Sequence, residues 1–209
     1  MIWDELLAAL PLVAIVRGLR PDEAVGIGEA LHEAGFRCME VPLNSPDPLQ
    51  SIERLARALG DRMLVGAGTV LESKAVQDVA SAGGRLIVSP NADSAVIAAT
   101  KRAGLISMPA FFTATEAFAA LAAGADALKL FPAEGASPRT LKALKAVLPP
   151  QVPVFPVGGV DAAAMGPWRL AGAAGFGIGS AVYRPGQTPA EVRAQAIAFV
   201  TAWRGSAPV

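Results

Sequence analysis

The chain has 209 residues, 53% of them apolar, and its 18 basic and 18 acidic side chains leave no net charge. This length suffices for one large α/β domain, and the high apolar content is typical of parallel strands that are covered on both faces. The charges are spread evenly, without the cationic surface that binds nucleic acid or acidic lipid. We therefore expect a small-molecule substrate and neither a nucleic-acid nor a membrane partner.

The first predicted element is a short helix at about residues 2–10, which we expect to cover the bottom of the fold. The apolar segment 6–16 has the length of a signal-peptide core, but acidic residues precede it and Arg17 follows it. We therefore expect no cleaved signal and a cytoplasmic protein. At the other end of the chain, about residues 205–209 are predicted to form a frayed tail.

Short β-type runs alternate along the chain with Ala-rich segments that have apolar residues at helical spacing. In the segment after the first run, Asp22 and Glu23 favour a helix start and Gly35 a helix end. Eight such units without a large insertion predict a single-domain (β/α)8 barrel over residues 1–209. The runs are 12–18, 38–43, 64–70, 85–90, 105–111, 127–132, 152–159 and 174–180.

An open, doubly wound sheet is the alternative architecture, and the segment GFGIGS near the last run is its best support. However, Gly175, Gly177 and Gly179 do not have the G-x-G-x-x-G spacing of a dinucleotide-binding loop. Such a loop also follows the first strand of the fold, not the last. The barrel is therefore the favoured prediction.

The chain contains one cysteine and one histidine. Cys38 cannot form an internal disulfide and is expected to be a small core residue. His32 has Glu33 as its neighbour and is expected on a helix surface. With so few metal-binding side chains, most metal-site patterns are excluded, and we expect a protein with no metal and no cofactor.

Two charged residues stand inside apolar runs. Lys129 lies in ALKLFP and Glu40 in CMEVPL. Burial lowers the pKa of a lysine, and the neutral amine can attack a carbonyl carbon to form a Schiff base. A buried carboxylate can serve that chemistry by moving protons. A structural interpretation stays open at this stage, in which the lysine reaches water or pairs with a core carboxylate.

Other residues at the run ends suggest a ligand site, because the carboxyl ends of barrel strands carry the chemistry. Glycines in VGGV and GIGS leave backbone N–H groups open to an anion such as phosphate. The strand-end candidates are Arg17, Asn44, Thr69, Pro90, Asn91, Gly158, Gly159, Gly179 and Ser180.

The segments MEVPLNSP, GAGTV, SPN, TATEAF, ALKLFPAE and PVGGV occur in this order along the chain. Together they resemble the family of 2-keto-3-deoxy-6-phosphosugar acid aldolases, most closely its 6-phosphogalactonate branch. The resemblance extends from residue 12 to the C-terminal helix. The resemblance implies a class I aldolase with a (β/α)8 barrel and no metal. It also implies that the protein is a homotrimer and that the reaction releases pyruvate and D-glyceraldehyde 3-phosphate.

The resemblance also implies roles for individual residues. Lys129 would form the Schiff base, and Glu40 would act as the general acid and base. The remaining roles are Thr69 on the pyruvate carboxylate, Pro90 and Phe131 against the pyruvyl portion, and Gly158, Gly159, Gly179 and Ser180 around the phosphate.

Three positions bear on the choice of branch. The gluconate-type branch usually has an arginine in the second run and a threonine before the glycine pair. This chain has Asn44 and Val157 there, and Arg17 at the end of the first run. The exchange resembles the galactonate branch, in which Arg17 would take over the anion contact.

One departure from the family pattern concerns the fifth run. Ala110 stands where a glycine is common, and Phe111 and Phe112 follow it. A methyl group or ring at this place is expected to narrow the site.

A 2-dehydro-3-deoxy-6-phosphogluconate or 4-hydroxy-2-oxoglutarate aldolase remains an alternative function. So do a phosphosugar isomerase or epimerase and a non-catalytic sugar-phosphate binding protein.

Overall fold

The computed structural model describes residues 3–205. Parallel strands alternate with helices along these residues. The strands are β1 (Leu12–Ile15), β2 (Cys38–Pro42), β3 (Leu64–Gly68), β4 (Leu86–Ser89), β5 (Ile106–Phe111), β6 (Leu128–Leu130), β7 (Val154–Pro156) and β8 (Phe176–Ile178). The helices are α1 (Trp3–Ala9), α2 (Ala24–Ala34), α3 (Pro48–Leu59), α4 (Ser73–Ser81), α5 (Ser94–Arg102), α6 (Ala114–Ala122), α7 (Pro138–Lys145), α8 (Met165–Leu170) and α9 (Pro189–Gly205). A short 3₁₀ turn, Ala133–Gly135, follows β6.

The sheet closes on itself. The strand order is β7-β6-β5-β4-β3-β2-β1-β8, and a parallel bridge between Val157 and Gly177 joins its two edges. Ala174 also donates a backbone hydrogen bond of 2.9 Å to the carbonyl oxygen of Val154 across the same seam. Every predicted run contains one strand. The predicted (β/α)8 barrel is therefore confirmed, and the open doubly wound sheet is wrong.

The strands are buried on both faces, which accounts for the apolar composition. Val13 and Leu64 point into the barrel and belong to an interior cluster, whereas Ala14 and Val65 point outward and pack under the helices. Cys38 is a free cysteine in the interior cluster. Strands with this alternation bury apolar side chains on two sides and read as continuous apolar runs.

The N-terminal end of the barrel is covered by α1. Leu6 is fully buried in the interior cluster, and the Trp3 ring lies 6.0 Å from the ring of Phe155, centroid to centroid. Residue 2, the first residue of the predicted covering helix, lies outside the described residues. The predicted frayed tail does as well, except for Gly205, which ends α9.

The segment after β1 shows how local sequence sets a helix. Helix α2 begins after Glu23 and ends at Gly35, whose φ of 115° is a left-handed conformation that favours glycine. His32 lies in the last turn of α2 and is partly buried, and its burial lowers its pKa. The prediction of a surface histidine is therefore only partly correct.

Within residues 3–205, no helix is both long and apolar enough to cross a membrane. In the same part of the chain, no three His, Cys, Asp or Glu side chains cluster closely enough to hold a metal ion.

Candidate active site

A cavity of about 550 Å³ opens at the carboxyl ends of the strands. Ten of the residues singled out in the sequence line it, although they come from six different strand ends. They are Arg17, Thr69, Pro90, Lys129, Phe131, Val157, Gly158, Gly159, Gly179 and Ser180. Glu40, Asn44 and Asn91 are not among the lining residues. However, the charge of Glu40 interacts with those of Lys129 and Arg17, and Asn44 is hydrogen-bonded to Arg17.

Lys129 lies in the middle of β6 with its side chain directed into the barrel. Its neighbours in register are Ala110 of β5 and Phe155 of β7, and only 6% of the residue is exposed. This burial lowers the pKa of the ammonium group, although the nearby charge of Glu40 acts in the opposite direction. The Nζ atom lies 4.7 Å from the centroid of the Phe131 ring. The site therefore favours a neutral, nucleophilic amine at the cavity floor.

Glu40 lies on β2 and also points into the barrel. It is 2% exposed, and its Oε2 atom has no hydrogen-bond partner among the described residues. Burial raises the pKa of the carboxyl group to about 7, against the opposing charges of Lys129 and Arg17. A carboxyl group with this pKa both accepts and donates protons near neutral pH.

Arg17, Asn44 and Thr69 meet above the ends of β1, β2 and β3. The guanidinium of Arg17 donates a hydrogen bond to Oδ1 of Asn44, and both of its terminal nitrogens lie 3.5 Å from Oγ1 of Thr69. Thr69 has a φ of 55°, a left-handed conformation that is strained for a β-branched residue. The backbone thus holds this hydroxyl next to the arginine at the cavity wall.

Both positions of the glycine pair after β7 exclude a larger residue, because of their backbone conformation and because of the nearby side chain of Glu134. Gly158 and Gly159 have φ values of 102° and 62°. A Cβ on Gly158 would lie 2.2 Å from Oε2 of Glu134, and one on Gly159 would lie 2.5 Å from Cγ of the same residue. By contrast, a Cβ on Gly179 would meet no atom within 4 Å. All three glycines line the cavity at the ends of β7 and β8, where an anion site would use their backbone N–H groups.

Several residues that line the cavity are not predicted from the sequence, among them Glu134, Asp161, Tyr183 and Arg184. Glu134 stands in the same ALKLFPAE segment as Lys129, so inspection of the whole segment could have found it. Arg184 lies several residues beyond the end of β8. A search confined to residues next to the strand ends does not reach that far.

The expected narrowing by the fifth run is not observed for its phenylalanines. Phe111 belongs to the outer cluster beneath the helices, and Phe112 is 39% exposed. Ala110 pairs with Lys129 in the sheet, but none of these three residues is part of the cavity lining.

Comparison with known proteins gives a consistent result. A family model described as "Aldolase: KDPG and KHG aldolase" matches residues 3–193. The 2-dehydro-3-deoxy-6-phosphogalactonate aldolase of Escherichia coli strain K12 is 50% identical over 195 residues, which are 93% of this chain and 95% of that protein. A solved structure described as native KDPGal has a TM-score of 0.93 and 49% identity, covering 94% of this chain and 96% of that one. A KDPG aldolase from Legionella pneumophila, solved with pyruvate captured as a covalent carbinolamine, has a TM-score of 0.80 and 27% identity. It covers 93% of this chain and 96% of that one.

The barrel and these relatives together define the class of enzyme, which is a carbon–carbon lyase of the Schiff-base type. Within that class, the chain belongs to the KDPG and KHG aldolase family.

Proposed function

We propose that this chain cleaves 2-dehydro-3-deoxy-6-phospho-D-galactonate to pyruvate and D-glyceraldehyde 3-phosphate. One observation carries the proposal: a buried amine, Lys129, lines the same cavity as Gly158 and Gly159. This places a carbonyl-attacking group and a candidate phosphate cradle within one site. The names of the relatives at about half identity support the galactonate substrate.

In the proposed mechanism, neutral Lys129 attacks the C2 ketone of the substrate to form a carbinolamine. Glu40, acting through water, transfers a proton to the C2 hydroxyl of the carbinolamine. That hydroxyl then leaves as water, and the iminium forms. Glu40 then removes the proton of the C4 hydroxyl while the C3–C4 bond breaks. The bonding electrons pass to C3 as an enamine, and C4 becomes the aldehyde carbon of glyceraldehyde 3-phosphate. Protonation of C3 and hydrolysis of the iminium release pyruvate and restore the amine.

The remaining proposed roles follow the two ends of the substrate. Thr69 contacts the carboxylate of the pyruvyl half, and Arg17, supported by Asn44, supplies an anion contact beside it. Pro90 and Phe131 pack against the pyruvyl carbons. Gly158, Gly159, Gly179 and Ser180 surround the phosphate. The contact between Arg17 and Thr69, and the opening of both glycine segments into one cavity, support this arrangement.

The choice between the two C4-epimeric substrates rests on Val157. This residue directly follows β7, lines the cavity and carries no hydrogen-bonding side chain. The site therefore distinguishes the epimers mainly by shape, and we expect a modest preference. A gluconate-type aldolase acting on the other epimer is the second candidate.

The experiment that tests the proposed function is a cleavage assay with the two phosphorylated C4 epimers side by side, measured as pyruvate release. The proposal predicts cleavage of both, with a higher kcat/KM for the galactonate epimer. A higher kcat/KM for the gluconate epimer would replace it with the second candidate. Release of pyruvate from neither substrate would contradict both.

We also propose that the protein is a homotrimer and that it is located in the cytoplasm. The trimer follows from the family resemblance, and the compartment follows from the substrate, since a charged sugar phosphate does not diffuse across membranes. Light scattering of the purified protein tests the first point. A mass of about three times the 21.3 kDa of the chain is expected, and a mass equal to one chain would contradict it.

A further inference from the structure

We propose that Arg184 binds the phosphate group of the substrate and acts as the cation of that half of the site. The inference rests on the proposed function and adds to it a residue outside the glycine segments. Arg184 lines the cavity together with Gly179 and Ser180.

The Arg184 side chain is fixed at the edge of the phosphate cradle by one of its nitrogens. Nε donates a hydrogen bond of 2.9 Å to the carbonyl oxygen of Ser180. Within the described chain, the two terminal nitrogens make no hydrogen bond or ion pair with protein, so their donors remain available. A planar guanidinium with two free terminal groups matches the geometry of a phosphate.

The backbone around Arg184 is held on both sides. The hydroxyl of buried Tyr183 donates to Oε1 of Glu23 at 2.9 Å, and the backbone N–H of Arg184 donates to Oε1 of Gln187 at 2.6 Å. On the following side, Pro185 packs over Gly18, where a Cβ would lie 2.7 Å from Cγ of the proline. These contacts fix the loop relative to α2 and the end of β1, so the guanidinium is positioned before a ligand arrives.

The distribution of charge in the cavity also favours this role. Besides Arg184, its basic lining residues are Arg17 and Lys129. Arg17 is hydrogen-bonded towards Asn44 and Thr69, on the β2 and β3 side, and Lys129 must be neutral to react. The carboxylate of Glu134 lies against the glycine pair, where it would repel an incoming phosphate. A cation on this side offsets that repulsion.

The test compares Arg184→Ala and Arg184→Lys with the wild type on the phosphorylated substrate and on its dephosphorylated analogue. Arg193→Ala is the matched control, because Arg193 pairs with Glu33 at 3.2 Å on the outer surface and is not part of the cavity lining. We expect Arg184→Ala to raise KM for the phosphorylated substrate by about 10- to 100-fold, the usual effect of losing a charged hydrogen bond. KM for the analogue and kcat should change by less than about threefold, with Arg184→Lys between wild type and alanine.

A second measurement does not depend on catalysis. Calorimetric titration with sn-glycerol 3-phosphate should give a Kd for Arg184→Ala about tenfold or more above that of the wild type and of Arg193→Ala. Equal dissociation constants, or no binding by the wild type at millimolar ligand, would overturn the inference. If the wild type cleaves neither epimer but binds glycerol 3-phosphate through Arg184, the proposed function fails and the inference stands. If it cleaves the substrate and Arg184→Ala leaves both KM and Kd unchanged, only the inference fails.

Discussion

The carboxylate of Glu40 occupies the space that any side chain at Gly68 would need. A Cβ on Gly68 would lie 1.7 Å from Oε2 of Glu40 and 2.4 Å from Oε1, whereas real Cβ atoms essentially never approach other atoms within 3.0 Å. Glycine at the end of β3 therefore allows a buried carboxylate inside the barrel, close enough to Lys129 for their charges to interact.

This relationship predicts the effect of Gly68→Ala. The added methyl group should displace the Glu40 carboxylate and lower kcat by roughly 10²-fold or more, because general acid–base catalysis depends on the position of the group. Gly26→Ala is the matched control, since a Cβ there would meet only Pro189 at 3.5 Å. Circular dichroism should show both variants folded. Unchanged kcat in folded Gly68→Ala would show that the carboxylate position is unimportant.

Replacement of the carboxylate itself separates proton transfer from covalent chemistry. Glu40→Gln keeps the shape of the side chain but cannot accept a proton, so turnover should fall by about 10²- to 10⁴-fold. Slow reductive trapping of pyruvate on Lys129 should persist, because the amine remains buried and nucleophilic. Turnover within a few-fold of the wild type would make Glu40 a structural residue.

The raised pKa of Glu40 also predicts how stability depends on pH. A carboxyl group whose pKa rises on folding, here from 4.5 to about 7, binds its proton more tightly in the folded chain. Its ionisation therefore destabilises the fold as the pH rises through this interval. The wild type therefore loses stability over this interval, whereas Glu40→Gln does not. The free energy of unfolding of Glu40→Gln minus that of the wild type should increase by on the order of 1 to 3 kcal/mol as the pH rises from 4.5 to 8.

Urea unfolding of both proteins at several pH values measures this difference. Glu29, Glu116 and other groups with lowered pKa values are present in both proteins, so their contributions cancel in the comparison. A difference that stays constant with pH would mean that Glu40 titrates near its ordinary value.

Val157→Thr tests the basis of epimer preference. Threonine has nearly the same shape as valine and adds one hydroxyl beside the expected position of C4. The ratio of kcat/KM values should move towards the gluconate epimer by about 0.5 to 1.5 kcal/mol, the contribution of one hydrogen bond. Val160→Thr, at a second cavity-lining valine, is the control that should leave the ratio unchanged. If the Val157 variant has the wild-type ratio, this residue does not set the preference.

Much of the fold was predictable because parallel strands buried on both faces leave continuous apolar runs in the sequence. Lys129 and Glu40 stood out for the same reason, since each interrupts such a run with a charge. The barrel brings both into one interior, as the alternation of inward and outward side chains requires.

What the sequence could not provide were contacts that depend on side-chain direction and on loop paths. Gly68 is visible in the GAGTV segment, but only the structure shows that Glu40 fills the space beside it. Glu134 points back at the glycine pair from the turn after β6, and Arg184 reaches the cavity from a loop held by Tyr183 and Pro185. No local pattern encodes these approaches, because each joins segments that are distant in the chain.

Reductive trapping shows directly whether Lys129 forms a Schiff base with the substrate. The protein is incubated with pyruvate and sodium borohydride, and the modified peptide is located by mass spectrometry. We expect inactivation and a pyruvyl-derived mass on the peptide that contains Lys129, with no trapping in Lys129→Met. An isomerase, an epimerase or a binding protein on the same barrel would form no such adduct. Modification confined to surface lysines such as Lys142, or no adduct at all, would show that Lys129 does not form the Schiff base.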